Sequence, residues 1–261
     1  MMLNSTFDWR KLKQLNVVQL LLAFFLPSAF AFFGFRFVLP KMISLGYPKV
    51  LMWGVIASSM LLIFTIIGFF LIKKEAKALD ISIGERLLIK KISIKQWLIC
   101  LGIMIVGIIL SVVASPTVDF FKALPGLSIP DYMPFWLNPS IDPMNTDMDL
   151  LSPNYPLKGN YVLLIIMSIA LLLNILAEEI YFRSWLLPKM QNLGKWSWVV
   201  NGLLFALYHT FQLWLFPMLI ILSLATALTV YLSKSILPAF VTHIVANFLL
   251  SVASIIALVV G

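Results

Sequence analysis

Seven stretches of this chain are apolar over roughly the 20 residues that a helix needs to cross about 30 Å of hydrocarbon, and no other feature constrains the fold as tightly. They cover residues 16–39, 50–72, 96–118, 161–182, 199–216, 218–233 and 236–260. The fifth and sixth are short and parted only by Pro217. The expected fold is therefore all-α: a polytopic, multi-pass integral membrane bundle of about seven helices, with six to eight allowed. Composition agrees. Hydrophobic residues make up 61% and charged residues 11% of the 261 positions, against roughly 45–50% and about 25% in soluble domains, which excludes an ordinary soluble enzyme. The single cysteine, Cys100, excludes an intrachain disulfide and a cysteine-rich metal cluster.

The first stretch has signal-peptide features. Arg10, Lys11 and Lys13 precede it, and Ala29-Phe30-Ala31 resembles a cleavage site. It runs on to Leu39, long enough to span, so it is read as a retained helix.

The net charge of +8 would suggest nucleic acid in a soluble protein. Here it has a topological explanation. Short cytoplasmic loops retain Lys and Arg, and seven passes with the N-terminus inside put 14 of the 19 cations on the cytoplasmic side. That face carries about +10, the outer face is neutral, and Glu178 and Glu179 lie within the membrane. Attraction to lipid headgroups follows, and no nucleic-acid partner is needed. The expected location is a bacterial cell membrane, with the N-terminus and the opening of the active site cytoplasmic.

Three regions are expected: an N-terminal three-helix membrane region (1–115), an external loop with eight prolines (116–160), and a membrane core (161–261). Residues 73–95 read as a basic interfacial helix whose apolar side is Ile81, Ile83, Leu87, Leu88 and Ile89. In the external loop, Tyr132, Phe135 and Trp136 suit an ordered cap at the bilayer surface. No internal repeat supports an inverted-repeat transporter.

The core region concentrates polar residues where they are expensive. An ionisable group within a span costs roughly 2.5–3.5 kcal/mol on insertion scales and usually serves function. Glu178 and Glu179 are the only acidic residues after position 160, and His209 and His243 are the only histidines in the chain. Glu179 and Arg183 stand i,i+4, which favours an ion pair, whereas Glu178 has no local cation. Phe205 with His209, and His243 with Asn247, each share a helix face by the same spacing. At 1.5 Å per residue, Glu178, His243 and His209 lie about 8, 10 and 15 Å from the cytoplasmic helix ends, close enough to converge.

A carboxylate beside an imidazole can deprotonate water. A second histidine and an asparagine amide can hydrogen-bond a developing oxyanion. That set suits hydrolysis of an amide or ester. Two His and one Glu also form a common zinc set, but HExxH is absent, as are GxSxG and the phosphate-binding glycine loops. A proton- or ion-coupled transporter and a non-catalytic scaffold or immunity protein are the alternatives from other classes.

EExxxR (Glu178, Glu179, Arg183), FxxxH (Phe205, His209) and HxxxN (His243, Asn247), in that order on successive apolar segments, resemble the CPBP intramembrane proteases, also called the Abi or type II CAAX prenyl endopeptidase family. The resemblance covers residues 161–260. It implies a helical membrane core in which Glu178 and His209 activate water and His243 and Asn247 bind the oxyanion. Glu179 and Arg183 would support the site, with Phe205 packed beside it. The family has been described both as metalloproteases and as metal-independent glutamate proteases. The expectation here is no cofactor; were zinc used, Glu178, His209 and His243 would hold it. The implied substrate is a membrane-associated or lipidated peptide or protein. Eukaryotic relatives trim prenylated CAAX proteins, and bacterial relatives are linked to peptide maturation, bacteriocin self-immunity and membrane anchoring.

Overall fold

A computed structural model describes residues 7–143 and 145–260. Residues 1–6, 144 and 261, which fall within the three expected regions, lie outside the described residues. Among the described residues there are helices and no strands, and six helical stretches are long and apolar enough to cross a membrane. The fourth, Tyr161–Tyr208, has 48 residues. A straight helix of that length would measure about 72 Å, more than twice the hydrocarbon thickness. It is instead broken at Met190 and Gly194 (φ 54°, ψ −130°) and folds back. The chain thus makes seven passes: α1 (Val17–Ser44), α2 (Lys49–Ala78), α3 (Ile94–Ala114), α4 (Tyr161–Glu178 and its continuation to Leu186), α5 (Ser197–Tyr208), α6 (Phe216–Ser233) and α7 (Leu237–Val260).

Local sequence fixes several ends. Asn16 and Ser93 begin α1 and α3 with capping boxes closed by Gln19 and Gln96. Asn160 caps α4 through Leu163 N–H. The α5 helix stops at His209, whose ψ of 43° leaves the helical range, and a 3₁₀ run over Thr210–Leu215 carries the chain to α6. Pro27 lies inside α1 and cannot donate to the carbonyl four residues back. That carbonyl, on Ala23, accepts the Tyr181 hydroxyl at 3.0 Å, so a proline defect becomes a contact with the site-bearing helix.

α2 packs on α4, and α6 packs between α3 and α5. Small residues permit the close approaches: a Cβ on Gly202 would lie 2.9 Å from the Leu224 backbone, and one on Gly107 would lie 2.8 Å from Ala225. α7 begins against α3 and α6 and ends against α4. One end of the bundle, the basic face, gathers the N-terminal segment, the 79–93 connection and the turn at 187–196. The other, the loop face, carries residues 115–160.

The 73–95 segment departs from the expected interfacial helix. α2 continues to Ala78, and the only later helix before α3 is the single turn Ile83–Arg86. Arg86 is fully buried: it donates to Glu75 (2.6 and 2.8 Å) and to the carbonyls of Ser184 and Trp185. Pulling that side chain inward bends the segment onto the bundle and buries Leu88 with it. Burial lowers the Arg86 pKa from the usual arginine value, and Glu75 opposes that shift. Lys234, in the left-handed conformation at the end of α6, lies over the rings of Trp9 (3.9 Å) and Tyr231 (4.1 Å). Partial burial pushes its pKa down to about 8.

The proline-rich loop is an ordered cap with its own short helical turns. It folds onto the bundle end: Met133 and Leu137 join the main core, and Phe135, Leu151 and Leu157 pack with Val50, Leu163 and Leu258.

Candidate active site

α4 carries the two glutamates where its winding changes. The α-helix ends at Glu178 and residues Glu179–Leu186 form a π-helix, whose hydrogen bonds close at i+5. The expected Glu179–Arg183 ion pair is not among those formed by the described residues, because each group is taken up by a partner from another helix. Glu179 Oε1 instead accepts from His243 Nδ1 at 3.0 Å. Arg183 turns the other way, donating to Asn201 Oδ1 (2.9 Å) and Thr226 Oγ1 (2.9 Å) while its guanidinium lies 4.2 Å over the Phe205 ring. Asn201 also donates to the Phe182 carbonyl, satisfying a group within the π segment.

The remaining expected residues converge on Glu178. His209 Nε2 is 3.5 Å from Oε1, and His243 Nε2 is 4.0 Å from Oε2. The three side chains are 7, 8 and 13% exposed for Glu178, His209 and His243. Asn247 Nδ2 is 2.8 Å from His243 Nε2. The tautomers follow from the partners. His209 Nδ1 faces the Phe205 carbonyl at 3.1 Å and His243 Nδ1 faces a carboxylate, and both partners only accept. Each Nδ1 therefore carries a hydrogen, and each Nε2 points toward Glu178. Phe205 and Tyr208 pack edge-on against the His209 ring at 5.1 and 4.8 Å, fixing its plane. Phe205 thus stands between Arg183 and His209, in contact with both.

Two further residues line the site without having been singled out in the sequence. Asn174, one turn before Glu178, donates to its Oε1 at 2.7 Å; the i−4 spacing in an otherwise apolar helix was the available clue. Gln212 had none, because the backbone break that places it is invisible in helical periodicity.

The cluster lines a cavity of about 460 Å³, within the roughly 300–1,000 Å³ of ligand sites. Its wall is mostly apolar and includes Phe30, Trp53, Phe64, Ile108, Val112 and Leu137. Most of that wall belongs to the loop-side half of the bundle, and Glu178, Glu179 and His243 lie at the end nearer the basic face, where buried Phe182 and Leu186 back them. A water held between a carboxylate and an imidazole, with a second imidazole and an amide across from it, is chemistry this arrangement can perform.

Fold and site together define a polytopic helical membrane protein with a Glu–His cluster at the base of an apolar cavity. Residues 160–249, which are 90 of the 261, match the family model described as type II CAAX prenyl endopeptidase Rce1-like. That span contains all seven residues of the three motifs, so the core segment is similar to this family, in agreement with the CPBP resemblance. Comparisons with curated proteins and with solved structures return no match.

Proposed function

We propose that the protein is an intramembrane endopeptidase acting on a membrane-associated or lipidated peptide. The observation that carries this reading is the meeting of Glu178, His209, His243 and Asn247, from three different helices, at one cavity. Glu178, oriented by Asn174, takes a proton from a water that also contacts His209 Nε2. The water oxygen bonds to the scissile carbonyl carbon, and the carbonyl π electrons move to its oxygen. His243, carrying both ring protons, donates Nδ1–H to Glu179 and Nε2–H to that oxyanion, and Asn247 turns its N–H to the same atom. Glu179 stabilises the imidazolium this requires. The intermediate then collapses: the C–N bond breaks, and the proton held by Glu178 passes to the leaving nitrogen.

The residues do not fit a zinc centre as they stand. His243 Nε2 would have to be a ligand, yet it faces the Asn247 amide at 2.8 Å, and among the described residues no group of three His, Cys, Asp or Glu side chains is arranged to hold a metal. The reading is therefore of a glutamate-based, metal-independent hydrolase. The positive face is assigned to the cytoplasm, on the distribution of Lys and Arg.

The test is cleavage of an S-farnesylated CAAX-type peptide by purified protein in lipid nanodiscs. Glu178→Ala and His209→Ala each lower the rate by roughly 10²–10⁴-fold, the usual contribution of a general base, and a chelator leaves the wild-type rate unchanged. Wild-type cleavage by Glu178→Ala overturns the reading; loss on chelation with recovery on zinc addition replaces it with the metal-dependent form.

A further inference from the structure

The turn between α5 and α6 holds a polar group that the mechanism above does not use. Gln212 has a backbone conformation (φ −141°, ψ 44°) that interrupts the 3₁₀ run, and its N–H donates to the His209 carbonyl at 2.9 Å. Irregular backbone at membrane depth is tolerated where it is buried in protein or lines a cavity, and this break brings the Gln212 side chain to the cavity that His209 lines. Other polar side chains of the turn have partners: Thr210 Oγ1 pairs with Ser28 Oγ at 2.9 Å, and Trp214 Nε1 donates to the Leu137 carbonyl at 2.8 Å. Gln212 is more than nine-tenths buried as a residue, and its amide, which makes no hydrogen bond among the described residues, is not among the side-chain atoms sealed from solvent, so it stays open to the cavity. A polar group in an apolar wall is costly to leave without a partner, and this one lines the same cavity as His209.

A primary amide presents a donor and an acceptor side by side, the complement of a peptide unit's carbonyl and N–H. We propose that Gln212 is a substrate-binding residue that pairs with the peptide backbone next to the scissile bond. The proposal rests on the peptidase reading and adds to it the group that recognises a peptide rather than an apolar chain alone.

The test separates the two. Equilibrium binding of the S-farnesylated CAAX-type peptide is measured on Glu178→Ala protein, where turnover is removed, together with an analogue in which an ester oxygen replaces the N–H of the peptide unit adjoining the scissile bond. With Gln212 intact, the amide peptide binds about tenfold more tightly than the ester, as expected for one hydrogen bond to an otherwise unpaired buried group. Gln212→Leu and Gln212→Met weaken amide binding by a similar factor and erase the preference. In turnover assays of Gln212→Leu, KM rises about tenfold and kcat stays within about twofold. Equal binding of amide and ester with Gln212 intact overturns the proposal without any variant having to fold; so does a preference that survives both substitutions. Absence of cleavage by the wild type, with Gln212-dependent binding present, overturns only the peptidase reading.

Discussion

Asn174 and Gln212 border the same cavity and are expected to fail in opposite ways. Asn174 touches Glu178 at 2.7 Å, on the oxygen that also faces His209. It holds the carboxylate in one rotamer and satisfies one of its lone pairs, so its contribution belongs to the step in which Glu178 takes a proton. A hydrogen bond to a charged group is worth about 1.5–3 kcal/mol. Asn174→Leu, which keeps the side chain's size and removes the amide, is therefore expected to lower kcat by roughly 10–100-fold, with KM changed by less than about twofold. Steady-state kinetics on the farnesylated peptide, with thermal unfolding as the control for folding, check this. An unchanged kcat shows that Glu178 does not need the amide.

At the scale of elements, the segment after Glu178 is held from several sides. Arg86 and Ser184 tie it to the 79–93 connection, Lys189 pairs with Glu75, and Gln14 bonds the Pro188 carbonyl and the Gln191 N–H. Glu75 is the hub, accepting from Arg86, Lys189 and Trp185. Glu75→Gln would leave two largely buried cations facing each other. Removing one partner of a buried pair costs about 3–5 kcal/mol; the partial exposure of Glu75 puts the expected loss near the lower end, about 3 kcal/mol. Lys189→Met leaves the Arg86 pair intact and is expected to cost less. Thermal unfolding of the two variants in one detergent decides the order, and a Glu75→Gln protein that melts with the wild type removes Glu75 as the hub. The same segment marks how far the sequence could be read. Glu178, His209, His243 and Asn247 were legible because ionisable and amide groups stand out in apolar helices, and helical spacing placed them near one another. The Glu179–Arg183 pairing did not form because spacing within one helix carries no information on the partners that other helices bring: His243 for Glu179, Asn201 and Thr226 for Arg183. Nothing in the basic 73–95 segment set Arg86 apart from its other cations, since what buries it is a pair of carbonyls about 100 residues away in the chain.

Across the whole molecule, spans and loops were legible because hydrocarbon thickness sets helix length; the folding back of Tyr161–Tyr208 at Gly194 then yields the odd number of passes. An odd number puts the two ends of the chain on opposite faces, consistent with Gly159 N–H bonding the Val259 carbonyl at the loop face while Leu15 N–H bonds the Lys189 carbonyl at the basic face. Which face meets the cytoplasm then decides from which side the loop-side cavity is reached. The lone cysteine makes this measurable without further changes to the chain: Cys100 is buried, so the unaltered protein gives little background with a thiol reagent. Lys91 and Lys158 are exposed on the basic and loop faces. A membrane-impermeant maleimide added to intact cells is expected to label Lys158→Cys and spare Lys91→Cys, with the pattern exchanged in inverted vesicles. The opposite pattern would reverse the orientation drawn from Lys and Arg and put the loop-side half of the cavity toward the cytoplasm, while the geometry around Glu178 stayed the same.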